Sequence, residues 1–159
     1  MKVNISITRS LDIELPPAKV KALFKDLEGT IKRFPKLREL KKLGPDQYLW
    51  EMNPIGSKIA NIAHEVRYGA QYTVDAKKGE LSWKPIAKQG NASIEGGFRV
   101  LESGSGSRLE FKVKGELFDV PVPLMYRLVA PSFIQAKFAA LVDVFLERTR
   151  NELVDRRVS

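Results

Sequence analysis

The chain has 159 residues, of which 43% are hydrophobic and 29% charged, a length and balance that fit one domain with a real core. It has no cysteine, which excludes disulfides, thiolate metal sites and a cysteine nucleophile, and its single histidine excludes a histidine-rich metal centre. The formal net charge of +8 favours anionic partners.

Residues 3–15 open the chain with strict alternation. Val3, Ile5, Ile7, Leu11, Ile13 and Leu15 share one face, and polar residues take the other, the period of a half-buried antiparallel strand. Arg9 is the one break in the apolar row. A guanidinium at a core-facing position needs an anionic or polar partner, so Arg9 is either a hook for a ligand oxygen or a residue that a bulge or strand end lets reach water. Pro16-Pro17 then stops the strand and suits a first helical turn. Val20, Leu23, Phe24, Leu27 and Ile31 recur at helical spacing. With Gly29 as the interruption, they predict two short helices ending near Phe34-Pro35.

Between Lys19 and Lys42 nine basic residues face three acids. Such a stretch is a solvated face or a contact for an anionic membrane surface or a partner protein. It lacks the interleaved aromatics that stack single-stranded bases, which ranks nucleic acid below the other two.

Six further strands are predicted, at residues 37–43, 47–53, about 62–75, 80–84, 91–101 and 107–118. Gly44-Pro45-Asp46, Lys77-Lys78-Gly79 and Ser103–Ser107 supply turn chemistry between pairs of them. Within 62–75, His64, Val66, Tyr68, Ala70, Tyr72 and Val74 share a face. In the last strand Leu109, Phe111, Val113 and Leu117 do the same. Gly96-Gly97 predicts a bulge or sharp bend. Residues 119–131 are apolar and punctuated by Pro121, Pro123 and Pro131. They read either as a loop with a short helical turn or as the start of a kinked helix. From there Ile134, Phe138, Leu141, Val142, Phe145, Thr149 and Leu153 step by three and four, an amphipathic helix whose stripe must meet the apolar face of the sheet. The predicted whole is a single α+β domain over residues 1–159: a seven-stranded curved antiparallel sheet around a long C-terminal helix, with two short helices between strands 1 and 2.

This order resembles the helix-grip fold of the START and birch-pollen-allergen superfamily, SRPBCC. The resemblance rests on the opening strand running into Pro16-Pro17, the Phe24-Lys25-Asp26 and Ile31–Pro35 stretches, and a closing segment at 123–153 similar to that of bacterial polyketide-cyclase-like and coenzyme-Q-binding-like members. It implies binding of a hydrophobic small molecule, such as a lipid, isoprenoid quinone or polycyclic compound, between sheet and helix. A cyclase or dehydratase activity and a surface interaction module are the alternatives. The iron-dependent oxygenase branch needs two histidines, and this chain has only His64.

The cavity candidates are Arg9, Trp50, His64, Tyr68, Tyr72, Trp83, Phe98, Phe138, Leu141 and Phe145. Leu124, Met125 and Tyr126 are the candidate gate. No catalytic set, metal site or cofactor is assigned: His64 has no identifiable orienting partner, and neither a nucleophile elbow nor a phosphate loop is present. Residues 1–6 do not form a signal peptide and no run reaches the roughly 18–20 apolar residues of a bilayer span, so a cytoplasmic protein is expected, with a peripheral membrane contact as an option.

Overall fold

In the computed structural model, which describes residues 1–57 and 62–158, β1 (Val3–Ile13) is followed by α1 (Pro17–Lys21), a 3-10 turn (Ala22–Lys25) and α2 (Leu27–Lys32). Then come β2 (Leu37–Gly44), β3 (Gln47–Met52), β4 (Ile55–Ser57), β5 (Ile62–His64), β6 (Arg67–Asp75), β7 (Glu80–Gly90), β8 (Ala92–Ser103) and β9 (Gly106–Leu117). A 3-10 turn at Leu124–Tyr126 leads into α3 (Ala130–Val158). Seven strands form one antiparallel sheet in the order β1-β9-β8-β7-β6-β3-β2, and β4 and β5 make a separate hairpin. This is the expected helix-grip architecture.

The long strands form where the alternation places them. Val3, Ile5, Ile7 and Ile13 of β1 are buried, as are Leu109, Phe111, Val113 and Leu117 of β9. The two strands pair in unbroken register from Val3 opposite Leu117 to Ile13 opposite Ser107. The predicted turn residues close their hairpins: Pro45-Asp46, the loop ending at Gly79, and Gly104-Ser105, with Asp46, Gly79 and Gly104 at positive φ.

α3 is 29 residues long, about 43 Å at 1.5 Å per residue, enough to run the length of the eleven-residue β1. Its Gln135 side chain accepts from Ser6 N–H at 3.0 Å and donates to Ser6 C=O at 2.7 Å. The amide thus takes the place of a missing neighbouring strand and covers the edge of β1. The opposite edge, β2, is exposed along most of its length and carries Arg38, Lys41 and Lys42, charges that discourage edge pairing. Ile134, Phe138, Val142, Phe145, Leu146, Thr149 and Leu153 are the buried stripe of α3, and Leu141 flanks it half-buried.

Four expectations change. The two short helices are separated at Asp26, not Gly29: Gly29 lies inside α2, where its amide donates to the Asp26 carboxylate at 3.0 Å as the N-terminal cap. The strand expected over 62–75 is two strands, β5 and β6. Asn91 holds the break, accepting from Arg67 N–H at 2.8 Å and donating to Glu65 C=O at 2.7 Å. β7 runs to Gly90 instead of stopping at Lys84. Pairing between β7 and β8 ends at Trp83 opposite Gly96, so from Lys84 onward β7 is paired only with β6. Pro85, which lacks an amide, is tolerated in a strand paired on one side only. Finally, Gly96-Gly97 causes no register shift against β9. Gly96 is needed because a Cβ there would come within 2.7 Å of the Trp83 ring, and this is where β7 and β8 separate.

The centre of the core is aromatic. The Phe145 ring lies 5.2 Å from Phe34, 5.6 Å from Phe98 and 5.6 Å from Phe111, joining α3 to the segment after α2 and to β8 and β9. Phe145→Ala therefore removes contacts with three elements at once and should destabilise the protein by about 3–5 kcal/mol. Urea denaturation measures this, and a loss below about 1 kcal/mol would show that the site collapses freely around the deletion.

Candidate ligand-binding site

A cavity lies between the concave face of the sheet and α3. Sixteen of the described residues line it, nine of them aromatic. Trp50, Tyr68, Tyr72, Trp83, Phe98, Phe138 and Phe145 are in its wall, together with residues that the sequence reading did not single out, among them Phe34, Met52, Phe111 and Val142. The missed positions carried the same signals as the others: Phe111 is on the inward row of β9, and Phe34 is in the aromatic-proline turn. The free volume is about 30 Å³, room for about one or two waters, whereas ligand pockets usually hold roughly 300–1,000 Å³. The conformation is therefore a closed one, with rings occupying most of the space that the curled sheet leaves under the helix.

The rings form two runs along the wall, joined by the hydrogen bond between Trp50 and Tyr72. Trp50 stacks on Tyr68 at 5.2 Å, Tyr72 lies 5.8 Å from Trp83, Trp83 6.0 Å from Phe111, and Phe111 4.8 Å from Phe98. Two polar contacts are built into the lining. Trp50 Nε1 donates to the Tyr72 hydroxyl at 2.8 Å, and the Thr30 hydroxyl donates to Leu23 C=O at 2.8 Å. Burial pushes the Tyr68 and Tyr72 phenols far above their ordinary range, so both stay protonated at any physiological pH. They can donate a proton in a hydrogen bond but cannot serve as phenolate bases.

Three of the candidate residues lie outside the cavity wall. Arg9 points toward α3 from the edge strand and stays partly exposed. Its Nε donates to Asp143 at 2.7 Å and its Nη1 to Thr8 C=O at 3.1 Å. The break in the apolar row is thus a surface ion pair between β1 and α3, worth at most about 1 kcal/mol. Leu141 packs beside the cavity stripe. His64 is on β5, so the apolar row that joined it to Tyr68 is interrupted where the strand stops at Glu65-Val66. It is 7% exposed, and its Nε2 has no hydrogen-bond partner among the described residues. Burial lowers its pKa below the ordinary 6.5; the nearby Asp119 carboxylate opposes this, and the N-terminal amine adds to it.

The candidate gate is exposed where it matters. Leu124, Met125, Leu128 and Val129 are 80%, 79%, 97% and 58% exposed, whereas Tyr126 packs against the core. Of the two sequence readings of this segment, the loop with a short helical turn is the one observed. It is pinned at its start: Val120 is buried, donates to Met1 C=O at 2.9 Å and accepts from the N-terminal amine at 3.1 Å. The basic stretch is spread along the sheet: Arg38 pairs with Glu65 at 3.6 Å, and the Glu65 C=O accepts from Asn91, whose own C=O accepts from Phe118 N–H at the gate end. Lys21 packs against Gly79, which accepts from Val100 N–H at the opposite end of the sheet from Leu117, the residue that leads into the segment. Lys41 and Arg38 share Glu51, at 3.1 and 3.6 Å. The hydrogen bond from Lys41 holds the Glu51 carboxyl below its usual range, against the opposing effect of burial.

Among the described residues there is no cluster of acidic and histidine side chains that would hold a metal, and no helix is long and apolar enough to cross a membrane.

Solved structures share this architecture. A START superfamily protein from Mycobacterium smegmatis is 11% identical with a TM-score of 0.67, over 94% of this chain and 97% of that one. The Zhui aromatase/cyclase from Streptomyces sp. R1128 is 12% identical with a TM-score of 0.64, over 98% and 96%. The structure of Ara h 8.0201 is 14% identical with a TM-score of 0.57, over 96% and 99%. No protein-family profile and no curated protein sequence matches the chain. At these identities the likeness is one of fold: the chain has the helix-grip fold that these structures share.

His64 gives this region a pH dependence. A histidine that is harder to protonate in the folded state leaves the unfolded chain binding more protons below about pH 6.5, so stability is present above that pH and falls as the pH drops through it, levelling off below the folded pKa. His64→Gln should flatten this part of the stability–pH curve, measured by thermal unfolding between pH 8 and about 4.5. Curves of identical shape for both proteins would show that His64 is not the group responsible.

Proposed function

We propose that this domain binds a hydrophobic small molecule, such as a lipid, an isoprenoid quinone or a polycyclic compound, between its sheet and α3. The observation that carries this is the aromatic-walled void under α3, at the place where the fold leaves space between its two layers. The small volume means that binding requires rings such as Phe138 and Phe145 to turn or α3 to lift, opening the closed conformation. The START-like and aromatase/cyclase neighbours support the coarse class of ligand. A cyclase-type enzyme is the weaker reading. His64 is outside the cavity wall, Arg9 is engaged with Asp143, and the wall tyrosines are held protonated, so the groups that such acid/base work would use are not gathered at one point.

Native mass spectrometry of gently purified protein, followed by organic extraction, tests the proposal. The expected result is an apolar molecule released in up to equimolar amount. Empty protein that also fails to take up hydrophobic dyes would show that the core is simply packed.

A second reading concerns the surface. Four large apolar side chains between Leu124 and Val129, with Arg127 among them, stand in solvent on a proline-flanked segment next to the N-terminal end of α3. Such a patch favours insertion into the interfacial layer of a membrane, with the basic stretch adding a longer-range, salt-screened attraction for an anionic surface. In this reading the segment 121–129 is also the gate. Leu128→Asp should reduce binding to phosphatidylcholine–phosphatidylserine vesicles several-fold without changing stability, since Leu128 is 97% exposed. Amide exchange across 124–130 should be fast and should slow when vesicles are added. Exchange as slow as that of β8 and β9 would instead describe a fixed plug.

A further inference from the structure

Trp83 sits in the cavity wall with a buried donor: among the described residues its Nε1 has no hydrogen-bond partner. Its ring is on the cavity side of β7, between the Tyr72 and Phe111 rings, and Gly96 opposite it leaves the room that the indole occupies. Tyr72 is directly across from Trp83 in the β6–β7 ladder. The Tyr72 oxygen already accepts from Trp50 Nε1, and burial keeps the phenol protonated, so its own hydrogen is available to donate. The indole nitrogen can only donate. This part of the wall therefore carries two donors on paired residues, and a buried donor without an acceptor is a standing destabilisation that a bound molecule can remove.

We propose that the cavity selects a flat apolar molecule that presents a bare acceptor oxygen, a ring carbonyl, to Trp83 Nε1, with the Tyr72 hydroxyl beside it. The proposal rests on the cavity-binding reading above and narrows its ligand class. An acyl chain with no acceptor at this point leaves the indole unpaired. A molecule whose only polar group donates places two donors face to face. A planar carbonyl compound satisfies the indole and continues the run of rings from Tyr72 to Phe98.

The test uses a matched pair of bicyclic probes that differ by one carbonyl, tetralin and 1-tetralone, titrated by calorimetry into the wild type and Trp83→Phe. The quantity read is the ratio of the two affinities. One regained buried hydrogen bond corresponds to about tenfold, so the preference for the ketone should fall by about tenfold in Trp83→Phe while tetralin still binds, which also shows that the variant is folded. A second measurement needs no substitution in the cavity. The chain has two tryptophans, so a nitrogen-15-labelled sample gives two indole resonances. The one from Trp83 should move downfield with 1-tetralone and not with tetralin, whereas that of Trp50, already bonded to Tyr72, should move little. If both probes bind but the affinity ratio is unchanged in Trp83→Phe and the indole resonance responds equally to both, the donor proposal is wrong and the cavity reading stands. If neither probe binds the wild type, the cavity reading fails and this proposal fails with it.

Discussion

The structure depends on one packing event: the insertion of the α3 aromatic stripe into the curl of the sheet. Phe145 is its centre, touching Phe34, Phe98 and Phe111 and so joining the helix to the segment after α2 and to two strands that are far apart from it in sequence. A curled sheet has one face to bury and cannot bury it against itself, so the helix is the second layer. The same curl makes the contact imperfect. A straight helix and a bent sheet do not match along their whole length, and large flat rings fill the mismatch with only a small residual void. The void and the stability of the core thus have a common origin, and any molecule that enters competes with rings that now hold the two layers together.

That competition links the cavity to the sheet's local irregularity. β7 and β8 part company beyond Trp83 and Gly96, and β7 then carries Pro85, a three-residue shift in its register against β6 and Lys88 at positive φ. The indole lies at the point of separation. A tryptophan there fills the space beside Gly96, and among the described residues its nitrogen has no carbonyl to bond. The Trp50–Tyr72 hydrogen bond shows the usual solution for a buried indole, and the contrast between the two tryptophans is what gives the cavity a polarity of its own.

The surface divides into two ends of different character. One end carries the apolar turn before α3, fastened through Val120 to the N-terminus. The other carries α1, with Lys21 against the β6–β7 turn. Between them the charges on β2 and β3 are largely used in ion pairs around Glu51. The basic stretch reaches both ends: Lys21 lies against Gly79, whereas Arg38 pairs with Glu65, which Asn91 ties to the region of Phe118 before the apolar turn.

The sequence by itself determined the architecture. Strict period two in residues 3–15 and 107–118, the switch to steps of three and four after Pro131, and turn residues at Gly44, Gly79 and Gly104 fix strands, helix and hairpins locally, because alternation and turn chemistry depend only on neighbouring residues. The aromatic wall was partly legible for the same reason: Trp50, Tyr68, Tyr72 and Trp83 share the inward parity of their strands. What parity could not show is where a row stops. His64 has the right parity for the cavity but lies beyond a break held by Asn91, a residue distant in sequence. Arg9 has the parity of the core but sits on an edge strand, where Asp143 of α3 meets it in partial exposure. The size of the cavity, the orphaned nitrogen of Trp83 and the spread of the basic stretch along the sheet were likewise decided by tertiary structure, because each depends on how far the sheet curls and on which distant side chains that curl brings together.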